Sequence, residues 1–352
     1  MDGRRLIVFL LGAALLAGCG GSNESTSTTA TAQTPKPVEG FKMAIVTDIG
    51  SLQDRSFNQL ANEGRKAIGK KLGIQTRVYE THAESERIPN MLAASKAGYN
   101  LVFAVGFLNY NALNAVAPRF QKLQYAGIDQ DYALFTKKPK NATGVIFAEQ
   151  EAGYLVGYVA GLWETRHPVK GKMVVGGVGA NKVPAIVRFL AGYRAGVHKA
   201  NKKIKVLIDY ANDPTFADQA KCKETTLNHI GKGSRVEFEA AGACGLGGLS
   251  AAKQKHIWGI GVDADQSFLG KHILTSATKH VDVAVFNTIK QFKANPSGFK
   301  AGFNVNYTLK NNGVGYGKLS SALSKADRTY ITKKVNTIKT LIIQGKIKPP
   351  TS

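Results

Sequence analysis

Acidic residues are scarce: 24 Asp and Glu face 47 Lys and Arg, a formal charge of +23 over 352 residues. Cysteine is scarcer, with three in the chain, which excludes a disulfide framework and a zinc site built from four thiolates. No apolar run reaches the roughly 18 to 20 residues that cross a bilayer core, and a mean hydropathy of −0.14 excludes a polytopic membrane protein. The signatures GxxxxGK[ST], HExxH, GxSxG and CxxC are all missing. The seven histidines (His82, His167, His198, His229, His256, His272 and His280) follow no metal-ligand spacing. Neither a metal nor a cofactor is expected. The basic residues are dispersed rather than clustered, so nucleic acid is not the expected partner. What remains is a chain with 43% apolar residues, enough for a sizeable core and too many for a disordered protein.

The longest apolar run, Leu6 to Gly18, is 13 residues and follows Arg4 and Arg5. A basic start, a short apolar core and small residues at its end make a secretory signal. Its last four residues, Leu16-Ala17-Gly18-Cys19, resemble the bacterial lipobox, in which Cys19 becomes the lipidated first residue. Residues 1–18 are thus read as a lipoprotein signal peptide and residues 19–40 as a flexible tether, with about 25 Å of root-mean-square reach. The body, 41–352, is expected outside the cytoplasmic membrane and held to it by lipid. Removing Asp2, Arg4 and Arg5 with the signal leaves a charge of +22. Outside the cell that charge favours anionic headgroups and envelope polymers.

From Lys42 onward, short apolar runs alternate with longer amphipathic stretches. Strands are predicted at 42–48, 74–80, 100–106, 124–129, 142–148, 173–179, 204–210, 235–241, 256–263 and 272–277. Helices are predicted at 57–72, 84–97, 111–123, 149–165, 184–200, 216–230, 246–254, 279–293 and 326–344. This alternation indicates parallel sheets covered by helices on both faces. There are too many beats for one ordinary sheet, so two α/β lobes are expected, with strand ends lining the cleft between them. The stretch FNVNYTLKNNGVGYGKL (303–319) reads as a hairpin.

The informative residues stand at the carboxyl ends of these strands, where α/β lobes bind ligands. Asp48 ends the first, Asp129 ends YAGID, Phe238 closes RVEF and Asp263 ends IGVD, while Phe57 and Asn58 open the first helix. Aromatic rings facing a cleft supply stacking surfaces, and carboxylates at the same edge can bind a vicinal diol such as ribose. A base with a sugar would satisfy both. Each residue also has a plain structural reading, Phe57 as a core contact and Asp48 as a helix cap. Asp263-Ala264-Asp265 starts like a calcium loop but lacks its glycine and terminal Glu. The glycine-rich stretch 242–248 suits a tight turn and also an approach of backbone amides to a ligand.

Five blocks, in order, resemble the basic membrane protein (BMP) family of bacterial lipoproteins: TDIGSLQDRSFNQLANEG (47–64), GGVGANKVPAIVRFLAGYRAGV (176–197), AAGACGLGGLSAAK (240–253), IGVDADQS (260–267) and ILTSATKHVDVAV (273–285). The resemblance covers about residues 42–345. It implies the type I periplasmic-binding-protein fold, two αβα lobes joined by a three-crossing hinge and closing on one ligand. It further implies the substrate-binding component of a nucleoside-type ABC importer, purine nucleosides being ligands of characterised members. Phe57 and Phe238 would match the rings that sandwich the base, and Asp129 the carboxylate at the base edge. Asp263 and Lys279 would match the ribose contacts, with Asp48 and Asn58 nearby and Gly242 in the loop approaching the ligand. The family block AGGTG is here Ala241-Gly242-Ala243-Cys244-Gly245, which places a thiol where a hydroxyl residue is usual.

The expectation is therefore a monomeric, non-enzymatic, lipid-anchored receptor that hands a nucleoside to ABC permease subunits. A nucleoside-sensing or adhesion lipoprotein is the alternative, and a nucleoside hydrolase a more distant one. Lobe one is placed at about 41–145 and 264–300, lobe two at about 146–263 and 301–345. With Cys19 lipidated, Cys222 and Cys244 remain as a pair for an extracytoplasmic disulfide; two buried free thiols are the other possibility.

Overall fold

The structure, a computed structural model, describes residues 40–169, 172–294 and 300–352. The signal segment, Cys19 and residues 20–39 of the tether lie outside the described residues.

The chain opens with β1 (Lys42–Ile49), α1 (Phe57–Leu72), β2 (Gln75–Thr81), α2 (Arg87–Lys96), β3 (Leu101–Val105), α3 (Tyr110–Val116), β4 (Gln124–Ile128) and β5 (Ala142–Phe147). It continues through α4 (Glu149–Arg166), β6 (Val174–Gly179), α5 (Pro184–Ala200), β7 (Lys205–Tyr210), α6 (Gln219–Gly231), β8 (Val236–Ala240), α7 (Gly245–Gln254), β9 (Trp258–Asp263) and β10 (Ile273–Lys279). It ends with α8 (Val281–Ala294), β11 (Asn304–Tyr307), β12 (Val314–Tyr316) and α9 (Lys325–Ile343). Hydrophobic periodicity locates the strands and most helices to within a few residues. Helix α1 covers the expected span and stops at Gly73, whose left-handed backbone (φ 61°) caps it. The expected helix 111–123 is cut short because Pro118 turns the chain into a 3-10 segment at Ala117–Arg119.

Two six-stranded sheets form, in the orders β11-β5-β4-β3-β1-β2 and β12-β10-β9-β8-β6-β7. The pairs are parallel except β10 with β12. Strands such as Leu101–Val105 and Val174–Gly179 are buried at every position, the pattern of a sheet covered on both faces. The sheets define two lobes, and the chain passes between them after Phe147, after Lys279 and after Tyr307.

Three expectations are corrected here. The stretch 264–300 does not belong wholly to lobe one, because β10 pairs with β9 (Ala277 to Val262, Thr278 to Asp263) and the chain leaves lobe two only after Lys279. Conversely, β11 pairs with β5 in the first sheet (Asn304 to Gly144, Tyr307 to Phe147), so 301–307 is not in lobe two. For the same reason 303–319 is no hairpin: β11 and β12 complete opposite sheets, and the turn between them is the third crossing. A sequence pattern of two short strands around a glycine-rich turn does not distinguish the two arrangements.

Cys222 of α6 and Cys244 are joined in a disulfide with Cα atoms 5.5 Å apart. The bridge fixes the loop carrying Gly242 to α6. Among the described residues no helix is long and apolar enough to cross a membrane.

Candidate functional site

The carboxyl ends of the strands of both lobes converge on one cleft, with about 680 Å³ of space counted out to its open mouth. Lobe one contributes Asp48, Asp54, Phe57, Asn58, Gly106, Phe107 and Asp129; lobe two contributes Val183, Ile186, Phe189, Phe216, Gly242, Asp263 and Lys279. Seven of the eight residues singled out from the sequence thus line the same space.

The eighth does not. Phe238 is fully buried within β8, edge-on to Phe189 at 6.0 Å and against Tyr193 at 5.2 Å. The strand runs on to Ala240, so Phe238 lies too early to reach the rim and packs beneath α5 instead. The aromatic residues lobe two does present are Phe189 and Phe216. Phe216, in the loop after β7, takes a left-handed backbone (φ 57°), a costly conformation for a bulky residue that recurs at ligand sites. Its position beyond a strand end was the available signal; its ring is partly exposed, as is that of Phe57.

Asp129 directly follows β4 and Asp263 is the last residue of β9, and both turn the chain with positive φ, 63° and 60°. Aspartate tolerates that region better than most residues. Asp48 is placed otherwise: Ile49 N donates to its Oδ1 at 2.8 Å, and Leu108 N lies 3.4 Å from Oδ2. Gly106, with φ 93°, packs so closely that a Cβ there would collide with the Asp48 carboxylate. Asp48 does not cap α1. Asp54 does, accepting from Asn58 N at 2.8 Å and Gln59 N at 3.1 Å.

Lys279 holds the centre. Its Nζ donates to Asp129 Oδ2 at 2.6 Å and Glu149 Oε1 at 3.0 Å, and lies 5.0 Å from the ring centre of Phe57 and 4.9 Å from that of Phe147. Burial alone would lower its pKa, but Asp129, Glu149 and Asp263 together hold it above the ordinary lysine value. Glu149 in turn accepts from Arg188 Nε at 2.6 Å. Burial pushes Asp263 up to about 6, against the lowering effect of Lys279 and the Ser56 hydroxyl. Burial likewise pushes Asp48 up to about 7, with Arg87 3.9 Å away as its nearest cation. The Asp129 Oδ1 and Asn58 Oδ1 atoms are buried without a protein partner. Such atoms are uncommon in folded proteins and suit a ligand that brings donors.

The lobes also touch directly. Ser56 Oγ donates to Asp263 Oδ2 at 2.6 Å, Gln266 Nε2 to the Arg55 carbonyl at 3.2 Å, and Lys279 to Asp129 as above. Contacts of this kind favour the arrangement in which the two lobes stand together over any in which they part. Among the described residues no group of three or more His, Cys, Asp or Glu side chains is placed to hold a metal ion.

The family described as "Bmp: ABC transporter substrate-binding protein PnrA-like" matches residues 41–348. The chain belongs to that family. Bmp proteins are substrate-binding components of ABC transporters rather than enzymes. The chain is 33% identical over 365 aligned positions, 97% of each chain, to the "ABC transporter nucleoside-binding protein BmpA" of Lactococcus lactis. It is 31% identical over 336 positions, 91% of this chain and 78% of the other, to an uncharacterized lipoprotein of Pyrococcus abyssi. In three dimensions it is similar to an ABC transporter solute-binding protein of Aeropyrum pernix. That match has a TM-score of 0.77 and 26% identity, covering 89% of this chain and 94% of that one. The two-lobe architecture is that of periplasmic solute-binding proteins.

Proposed function

We propose that this Bmp protein binds a purine nucleoside between its lobes and delivers it to a membrane permease, anchored outside the membrane by lipid on Cys19. The observation that carries the reading is the content of one cleft: phenylalanines from opposite lobes, Phe57 and Phe216, together with Asp129 and Asp263 at strand ends. The phenyl rings offer faces for a base. Asp129 and Asn58 offer open acceptors for its N–H groups, and Asp263 with Lys279 suits a ribose diol. Phe216 takes the place assigned to Phe238 from the sequence.

The charge of the cleft favours a nucleoside over a nucleotide. Its lining holds four carboxyl groups and one ammonium, inside a chain of charge +23. A phosphate would meet repulsion there, whereas a neutral donor-rich ligand would not. The nucleoside-binding relative is consistent with this chemistry.

Titration calorimetry with adenosine, guanosine, inosine, uridine, free adenine and a nucleoside monophosphate tests the reading. Purine nucleosides should bind best and the monophosphate far more weakly; another solute class binding while every purine nucleoside fails would overturn it. The titration should also depend on pH. Carboxylates accept donors best when ionised, and Asp48 and Asp263 have values of about 7 and about 6. Affinity is therefore expected to be greatest above pH 7 and at least about tenfold weaker at pH 5. Stability without added ligand should slope the other way. Groups raised from 3.8 favour the folded state below that value and lose the contribution as pH rises through 6 and 7.

The anchor rests on the Leu16-Ala17-Gly18-Cys19 motif and on relatives that are lipoproteins. Cys19→Ser should release the chain from membranes, and a variant still membrane-bound after a high-salt wash would refute lipidation.

A further inference from the structure

Glu149 is the first residue of α4, just past the first crossing between lobes, and its side chain is fully buried. Lys279 is the last residue of β10, just before the second crossing. The bond between them, 3.0 Å, therefore ties two of the three crossings to each other. The same helical turn ties the third: Glu151 Oε2 accepts from Leu309 N at 2.7 Å, and Ala148 N donates to the Tyr307 carbonyl at 2.8 Å. Lys279 in turn reaches across the cleft to Asp129 of lobe one at 2.6 Å. One charged chain thus runs from Arg188 of α5 through Glu149 and Lys279 to Asp129, joining both lobes at the hinge.

We propose that Glu149 is a positioning residue that fixes the Lys279 ammonium in the cleft and couples its grip on Asp129 and on ligand to the hinge. An ammonium on a flexible stem has no preferred direction of its own. Here Phe57 and Phe147 enclose it and two carboxylates aim it, Glu149 from the hinge side and Asp129 from the cleft side. Asp263 adds its field from the neighbouring strand, and Arg188 balances the second oxygen of Glu149. Without the charge of Glu149, Lys279 keeps one strong partner, Asp129, which must then serve both the ammonium and the ligand. The role in ligand binding rests on the nucleoside reading; the role in setting Lys279 does not.

The test separates the two. The protein is labelled with ¹³Cε-lysine, Lys279 is assigned by its loss in Lys279→Met, and its shift is followed with pH in the parent, Glu149→Gln and Glu151→Gln. No ligand is added. Glu149→Gln should bring the Lys279 titration to lower pH, because removing one carboxylate lets burial weigh more. Glu151→Gln, which loosens the third crossing without touching Lys279, should leave that titration in place. An unchanged titration in Glu149→Gln, or an equal shift in Glu151→Gln, overturns the proposal. Calorimetry with the tightest-binding nucleoside then reads the coupling. Glu149→Gln should bind at least tenfold more weakly at pH 7.5, and its further loss of affinity with rising pH should set in at lower pH than in the parent. Parent-like affinity with a shifted titration would refute the coupling to ligand. If no purine nucleoside binds the parent, the functional reading fails, while the titration still decides the placement of Lys279.

Discussion

Asp263→Ala is expected to weaken purine nucleoside binding on the order of a hundredfold. Asp263 closes β9, is buried, and stands beside the last residues of β10 in register, Thr278 opposite Asp263. Its carboxylate and the Lys279 ammonium thus face the cleft from adjacent strands of one lobe. A vicinal diol donating to that carboxylate makes two charge-assisted bonds, each worth at least about 1.5 kcal/mol net. Their sum of about 3 kcal/mol corresponds to roughly two decades in Kd. The substitution also removes the acceptor for Ser56 Oγ, a contact that joins the lobes at 2.6 Å. Two control measurements separate these effects. Ser56→Ala loses the contact between lobes and keeps the diol acceptor, so its affinity should fall less. A 2′-deoxynucleoside should be discriminated against by the parent and bound by Asp263→Ala no worse than the ribonucleoside. Equal binding of the ribonucleoside by Asp263→Ala and the parent would remove Asp263 from the site. Asp263→Asn should retain part of the affinity and lose the share of the decline toward pH 5 that Asp263 carries, leaving the share that belongs to Asp48.

The fold was legible because its main signals are local. Buried parallel strands are short apolar runs, and the helices between them carry a periodic apolar face with a glycine stop such as Gly73. The connection of strands to lobes was less legible, because it depends on partners far away in sequence. Nothing in ILTSATK (273–279) says whether it joins β9 or the first sheet, and the chain crosses between lobes two residues before α8 begins. The site divides in the same way. Asp48, Asp129 and Asp263 stand at strand ends and could be read from position alone. Phe238 stands near a strand end without reaching the rim, whereas Phe216, which the periodicity places at the start of helix 216–230, lies in the loop before α6, which begins only at Gln219. Glu149 and Arg188 left no signal. Each is an ordinary charged residue at the start of a helix until the fold buries the carboxylate against Lys279.

Gly157→Ala should destabilise the whole domain by about 2 kcal/mol, although alanine is the better helix former. Helices α4 and α5 carry glycines at four-residue spacing, Gly153, Gly157 and Gly161 on one, Gly192 and Gly196 on the other. These positions let the two backbones approach until a Cβ on Gly157 would collide with the carbonyl of Tyr193, and one on Gly153 with that of Phe189. The obstacle is backbone, so no side chain can rotate away, and the helices must separate. Overpacking of that kind costs about 1–3 kcal/mol or more, against a gain of up to about 1 kcal/mol in helix propensity. The close approach has a functional consequence, since α4 begins with Glu149 while α5 supplies Arg188 and Phe189. Spreading the helices lengthens the Glu149–Arg188 contact of 2.6 Å and moves Phe189 at the cleft wall. Urea denaturation followed by circular dichroism should show a lower midpoint for Gly157→Ala, and nucleoside affinity should fall with it. Gly231→Ala is the matched control: it ends α6 with nothing near its added Cβ, so it should be neutral or slightly stabilising. A Gly157→Ala protein that unfolds at the parent midpoint would mean that the helices can part without cost. Tight packing of α4 on α5 would then not be what holds Glu149 in place.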